Sequence, residues 1–497
     1  MATLATMILY PSLSIILLYI LQWAFRYLQH IRFARRYGCG PPVKFPHKDP
    51  LGLDLFLQTG TQMKEHARLR GIQELYSSYG NTFQTNSFGS KVINTIDPAN
   101  IQAFLSLNFD KYGLEPIRFP VASPIMGRSI FTSDGPFWDK ARHEVKPIFS
   151  HGEIANMANF ERHINHMMEQ VPLDGSLFDI APLIDDLFLT ASLDYLFAQS
   201  IIFPNIDHSS LNARFLRAFR AATAGAGRRH FRGKLRNFIP DRLFNEACRE
   251  LHEIADMHVE AALGHIKQDP PEASASTLDR SAFLLDLARQ TEDRVYLRNQ
   301  LLAVFMAGHE STAVLVEDAI FEMVRHPEVW SRARVEAENL SGKSLTFESV
   351  RSQGYMYQII KEVLRLHPLS PTSSRVALAP TVLPNGGKGN RPLCIAPGTT
   401  VLVHRHALHL SKELYGSDAE EFRPERWDKL RQGWHYMPFS GGPRTCPAQT
   451  MAMAEAAAVL SKLLQMVQTA SGEGEWRESW GLIVKNTAGV WVRLRRS

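Results

Sequence analysis

Cysteine is scarce in this chain, and none of it is paired in sequence. Cys39, Cys248, Cys394 and Cys446 lie far apart with no Cys-x-x-Cys spacing, which excludes a disulfide scaffold and a zinc ribbon and points to a reducing compartment. A strong charge imbalance is also missing. The formal net charge is +5 over 497 residues, which gives nucleic acid no support as a partner but suits an anionic membrane face or an acidic redox partner. No internal repeat is visible, and the one low-complexity piece is QDPPEASASTLD, residues 268–279, read as an exposed linker.

The first 25 residues contain no Asp, Glu, Lys or Arg. At about 1.5 Å per residue, roughly 20 of them span a bilayer core of ~30 Å. Arg26, Arg32, Arg35, Arg36, Lys44 and Lys48 precede the first acidic residue, Asp49, so the positive-inside rule puts the rest of the chain in the cytoplasm. A cleaved signal peptide carries its charge before a shorter apolar run, whereas here the charge follows. The expected organisation is a single-pass anchor over 1–25, a basic, proline-rich hinge over 26–50, and a catalytic body over 51–497.

With 45% hydrophobic residues the body can bury a large core. Its patterning predicts a mainly α fold with a small β portion. One helix of roughly 30 residues, about 50 Å, is expected from Asp293 to Arg325, stopping before His326-Pro327. Another begins just after Cys446, with Pro447 at its first position. Between 370 and 435, Pro, Gly and β-branched stretches such as TTVLV predict short strands and irregular loops.

Three stretches carry polar groups where an ordinary core has no use for them. In FMAGHESTAVLV, the residues Gly308, His309, Glu310, Ser311 and Thr312 interrupt an apolar helix. Burying a carboxylate there costs several kcal/mol unless it is paired or wet, and Gly308 adds about 1 kcal/mol against Ala. Such a helix either has one polar face or bulges over a cofactor, with Glu310 and Ser311 relaying protons through water. In KEVLRLHP, Glu362 and Arg365 stand three residues apart on one helical face; alone this is a surface pair, and Arg426 of FRPERW could join it. In FSGGPRTCPAQ, Cys446 follows two glycines and Arg444. It is either an inert buried thiol or a thiolate held by backbone N–H groups beside a flat anionic ligand.

Together these segments resemble the cytochrome P450 family of haem-thiolate monooxygenases. Phe439, Gly442, Arg444, Cys446 and Ala448 match its cysteine loop, and Ala307, Gly308, Glu310 and Ser311 match its oxygen-activating pattern. Glu362 and Arg365 match its Glu-x-x-Arg pair, with Arg426 in the third place. Trp138 and Arg142 match its Trp-x-x-x-Arg, and Arg375 sits where a further propionate partner is usual. The stretches 130–149 and 415–427 look most like the microsomal fungal branch that hydroxylates alkanes and fatty acids.

The resemblance implies a P450 fold behind a single transmembrane helix at the endoplasmic reticulum. It implies haem b with Cys446 as the metal ligand, held by Trp138, Arg142, Arg375 and Arg444, and Glu310, Ser311 and Thr312 as catalytic residues. It also implies insertion of one atom of O2 into a hydrophobic substrate that is lipid-, alkyl-, polyketide- or terpene-like. Electrons are expected from NADPH through a membrane-bound cytochrome reductase, with cytochrome b5 as a further partner. Lys140, His143, Lys146, Lys429 and Arg431 fall in segments that form the family's partner-facing side. The pocket is expected from 113–126, 201–225, 301–312, 370–373 and 487–489. The basic run 228–236 is read as a contact for phospholipid headgroups or an acidic substrate, or as a solvated loop.

Two departures stand out: Ser311 replaces the usual Thr, and Pro447 removes one N–H near the sulfur. A haem-thiolate isomerase or dehydratase, and a non-catalytic haem-binding membrane protein, are the competing readings. The acid and hydroxyl at 310 and 311 speak for the monooxygenase.

Overall fold

The computed structural model describes residues 17–496 apart from 19, 23, 26, 156, 203–208 and 269–281. Most of the expected anchor and nearly all of the 268–279 linker lie outside the described residues. Among the described residues, no helix is long and apolar enough to cross a membrane.

The five-stranded sheet comprises β1 (Thr82–Ser87), β2 (Ser90–Thr95), β3 (Tyr112–Gly113), β4 (Thr372–Ala377) and β5 (Thr400–His404). Their spatial order is β1-β2-β5-β4-β3. Only β2 and β5 run parallel, with Val92 opposite Thr400, so chain segments some 300 residues apart meet in one sheet. Alternation along β4 buries Ser373, Arg375 and Ala377, which sends the Arg375 side chain inward. A separate hairpin near the C-terminal end pairs β6 (Glu478–Trp480) with β7 (Val484–Asn486). The residues after the first basic run are strapped to the sheets. Gly40 N–H donates to the Pro392 carbonyl at 2.9 Å, and Phe45 N–H to that of Gln84 at 2.9 Å.

Nine helices position the site: α1 (Glu115–Met126), α2 (Gly135–Ala155), α3 (Ala181–Phe197), α4 (Ser209–Phe231), α5 (Arg242–Gln268), α6 (Arg294–Gly308), α7 (Ser311–Met323), α8 (Gly354–Leu366) and α9 (Gln449–Met466). Periodicity explains their packing. In α5, Phe244, Ala247, Leu251, Ile254, Ala255, Val259 and Ala262 are buried, one stripe at helical spacing, packed against α4 and α6. In α8, Met356, Ile359, Ile360, Val363 and Leu364 are buried. At about 1.5–3 kcal/mol per buried large apolar side chain, this face outweighs the strain of ordering the helix. The alanines of α9 (Ala454, Ala456, Ala457 and Ala458) are buried too, and they let it lie close against α7 and α8 in one core.

The structure corrects the sequence reading in three places. The helix expected from 293 to 325 is two helices, capped at its start by Asp293, whose side chain accepts from Tyr296 N–H at 3.0 Å, and interrupted at His309 and Glu310. At the interruption the Ser311 hydroxyl donates to the Ala307 carbonyl at 3.0 Å, competing for the acceptor four residues back. Pro447 is not the first helical residue, because α9 starts at Gln449 with Ala448 at its cap. The basic run 228–236 is no simple loop: α4 extends to Phe231, and Arg228 and Arg232 both pair with Asp241, at 3.0 and 3.4 Å.

Candidate active site

The turn carrying Cys446 is held by the main chain. Cys446 N–H donates to the Phe439 carbonyl at 3.0 Å, and Thr445 N–H to that of Gly442 at 3.0 Å. Gly442 has φ +69°, and a Cβ there would lie 2.0 Å from the Leu105 carbonyl oxygen, so the loop can press against that backbone only with glycine. The thiol is half-buried. Burial pushes its pKa up, while the Ala448 N–H and the charge of Arg142 pull it back down. Pro447 offers no donor, so the Ala448 N–H directed at the sulfur is what the neighbouring backbone still supplies.

Around this turn the chain gathers guanidinium groups. Arg444 donates to Asp134 Oδ1 at 2.6 Å and to the Ser133 carbonyl at 2.7 Å, and lies 4.2 Å over the ring of buried Trp138. Arg142, one helical turn on from Trp138, sits 5.8 Å from the same ring. Arg375 is 4% exposed. It donates to the Ser374 carbonyl at 2.8 Å, and its Nε has no hydrogen-bond partner among the described residues. Arg118, on α1, stacks 3.8 Å over Phe131 and donates to that residue's carbonyl at 3.2 Å.

Burial, and then the charges of Arg375, Arg444 and Arg405, push Arg118 down to about 9; burial and Arg444 and Arg405 push Arg375 down to about 9. Arginine does not surrender its proton in proteins. What such a cluster lacks is negative charge. Asp134 is the carboxylate acting on both groups, and it is already committed to Arg444 and to the N–H groups of Leu114 and Glu115 at 2.7 Å each. A ligand with two carboxylates supplies the deficit.

The interruption between α6 and α7 offers the other wall. Residues 297–306 are almost wholly buried, yet Ala307 and Gly308 are exposed, and a Cβ on Gly308 would meet nothing within 4 Å. Glu310 Oε1 accepts from Lys485 Nζ on β7 at 2.6 Å. The Ser311 hydroxyl also reaches the Gly308 carbonyl at 3.3 Å, and Thr312 is buried on the packed side at 5% exposure. His309 lies flat on Phe305, with ring centroids 4.4 Å apart, and burial lowers its pKa, so it stays neutral. The edge of Phe219 meets it at 5.0 Å, giving this side an aromatic lining.

Behind the cysteine turn, Glu362, Arg365 and Arg426 form a buried knot. Arg365 donates through Nε at 3.0 Å and Nη2 at 2.8 Å to the two oxygens of Glu362. Arg426 Nε reaches Glu362 Oε1 at 2.8 Å, and Trp427 Nε1 reaches Oε2 at 3.0 Å. Arg365 and Glu362 are 0% exposed, far from the surface pair that their spacing alone suggests. The expected partner-facing cations Lys140, His143, Lys146, Lys429 and Arg431 are all exposed.

The structure thus brings Trp138, Arg142 and Arg444 together, sets Arg375 and Arg444 in one electrostatic cluster, and pairs Glu310 with a lysine. Sequence reasoning missed Arg118, Arg405 and Lys485. Arg118 had one signal, a lone arginine in the apolar, proline-rich run EPIRFPVASP. Lys485 had none, since its partner is 175 positions away.

Comparison with known proteins agrees with this architecture. The Cytochrome P450 family model matches residues 51–479. Cytochrome P450 monooxygenase himC of Aspergillus japonicus is 34% identical over 92% of this chain and 84% of its own. Cytochrome P450 52A12 of Debaryomyces hansenii is 32% identical over 89% of each chain. Among solved structures, the haem domain of cytochrome P450DA shares the fold with a TM-score of 0.73 at 20% identity, over 92% of this chain and 97% of that one. The chain belongs to the cytochrome P450 family, and it is a haem-thiolate monooxygenase acting on a hydrophobic substrate.

Proposed function

We propose that Cys446 is the axial ligand, that Arg118 joins Trp138, Arg142, Arg375 and Arg444 in holding the haem propionates, and that the substrate is alkyl-, fatty-acid-, polyketide- or terpene-like. The observation that carries this is a cluster of arginines with too few carboxylates, Arg375 buried and Arg118, Arg142 and Arg444 half-buried, placed around a turn that presents a half-buried thiol. Bound haem supplies reductive activation of O2, for which a thiolate ligand favours O–O cleavage.

The residues of this chain do the rest. The Phe439–Ala448 turn aims the sulfur and keeps it from water. The Glu362 knot fixes the segment leading into that turn. Glu310, held at the pocket edge by Lys485, exchanges protons with water, and the Ser311 hydroxyl passes them on from the helix interruption. Thr312, buried beside it, supports the helix and takes no proton.

Residues 1–25 anchor the protein in the endoplasmic reticulum membrane with the body in the cytoplasm. The uncharged run followed by six basic residues supports that placement. A membrane-bound NADPH–cytochrome reductase, assisted by cytochrome b5, docks on the exposed cations of α2 and of residues 429–431 and supplies the electrons.

The test is a carbon-monoxide difference spectrum of wild type and Cys446→Ser, followed by alkane, fatty-acid and terpene panels scored for spin-state shift. A thiolate-type Soret band is expected for wild type only. The same band in Cys446→Ser removes the ligand assignment.

A further inference from the structure

Asp134 is a carboxylate that three parts of the chain share. It ends the loop before α2, where its Oδ1 accepts from Arg444 Nη2 at 2.6 Å. Its Oδ2 accepts the N–H groups of Leu114 and Glu115 at 2.7 Å each. The bridge is reciprocal, because Asp134 N–H donates to Glu115 Oε2 at 2.9 Å. A Cβ on Gly113 would lie 2.7 Å from Asp134 Oδ2, so glycine there lets β3 and the carboxylate come this close.

The first turn of α1 needs what Asp134 offers. Leu114 caps this helix without a side-chain acceptor, and Pro116 contributes no N–H. The N–H groups of Ile117 and Arg118 both bond to the Leu114 carbonyl at 3.1 Å, so Glu115 N–H is the first-turn donor that needs an outside acceptor. A carboxylate also suits the positive end of a helix dipole. The same carboxylate holds the Arg444 side chain, which is 8% exposed. Asp134 and then Glu115 are the carboxylates acting on Arg444, and Arg142 opposes them. One side chain therefore serves both a segment expected to wall the pocket and the arginine beside Cys446.

We propose that Asp134 is a positioning residue that ties the N-terminus of α1 to Arg444 and, by balancing that guanidinium, limits how strongly the arginine cluster favours the reduced haem. Reduction brings one electron from the reductase to the haem, and a nearby negative charge opposes it while a nearby guanidinium favours it. With the charge of Asp134 removed, Arg444 is less opposed and the reduced state gains. The inference rests on Arg444 holding a propionate, as proposed above.

Two measurements on the haem-loaded full chain test it. The first is hydrogen–deuterium exchange over residues 112–118, read by mass spectrometry, with residues 123–127 at the other end of α1 as an internal reference. The second is a redox titration of the haem. D134A is expected to speed exchange several-fold over 112–118 alone and to raise the reduction potential. D134N keeps an acceptor at this position and loses the charge, so it should raise the potential by a similar amount, and it keeps the proposal open to refutation if D134A folds poorly. Exchange over 112–118 that is the same in wild type and D134A overturns the tether. A potential unchanged or lowered in D134N overturns the charge balance. R444Q separates these failures from failure of the reading beneath them: it should lower haem content per protein. R444Q with full haem and the wild-type potential strikes the propionate assignment instead, and the exchange measurement still decides the tether.

Discussion

At the residue scale, the cysteine turn depends on atoms that are absent. Gly442 leaves room for the Leu105 carbonyl at a left-handed φ. Gly442→Ala adds both a backbone clash and positive-φ strain, together about 3 kcal/mol. The expected outcome is several-fold less carbon-monoxide-reactive haem per protein than wild type, read by difference absorbance. Pro447 lacks an N–H, which leaves the thiolate less hydrogen-bonded and more electron-donating. Hydrogen bonds to charged groups contribute about 1.5 kcal/mol or more, and about 59 mV corresponds to a tenfold change for one electron. Pro447→Leu is therefore expected to raise the haem reduction potential by about 60 mV or more in a redox titration. An unchanged or lower potential would show that the Ala448 N–H already saturates the sulfur.

At the element scale, α7 and the end of α8 are joined by His367 Nε2 and Glu322 Oε1 at 2.7 Å, both side chains largely buried. Burial alone would lower the His367 pKa, but the charge of Asp318 and the hydrogen bond to Glu322 outweigh it and raise it above 6.5. Burial alone would raise Glu322, and here the bond and charge of His367 outweigh it and hold the carboxyl below 4.5. The signs then set a window. The histidine's contribution is complete below 6.5 and is lost as pH rises through its folded value; the carboxylate's is complete above 4.5 and is lost as pH falls through its folded value. His367→Gln is expected to flatten the decline in urea midpoint above pH 6.5. Breaking a buried pair of this kind costs about 3 kcal/mol or more, so the variant's midpoint should also be lower inside the window.

The elements themselves differ in how much of them could be read locally. Amphipathic α8 and the strand within TTVLV follow from periodicity, because the same stripe that sets the pattern is the one buried. The interruption of the long helix depends on a Ser311 side chain choosing a backbone carbonyl over solvent, a choice that apolar patterning does not encode. The fate of Glu362 and Arg365 was half legible: Arg426 joins them as expected, but their complete burial was not in the spacing. An i, i+3 pair reads as a surface pair until Arg426 and Trp427, more than 60 positions on, fold over it.

At the scale of the whole molecule, cations are exposed on α2 and near residues 429–431, the surface proposed above for an acidic redox partner. Raising ionic strength from 0.01 to 0.15 M shortens the screening length from about 30 Å to about 8 Å. Reduction of the haem by cytochrome reductase is expected to slow markedly across that range, as steering of encounter is lost. Lys429→Glu with Arg431→Glu should slow it several-fold at low salt. A stopped-flow rate unaffected by both salt and charge reversal would move the docking surface elsewhere.

The sequence by itself determined the mainly helical class, the family, the cysteine loop, and most of the residues proposed to surround the cofactor. Those depend on residue type at fixed short spacing, which survives in one dimension. Only the tertiary structure decided that Glu362 is buried with two arginines, that Arg118 and Arg405 complete a cationic cluster, and that Lys485 holds Glu310. These are electrostatic pairings between distant segments. Their energy depends on burial and on a few ångströms of separation, neither of which exists until the sheet and the helices have closed around them.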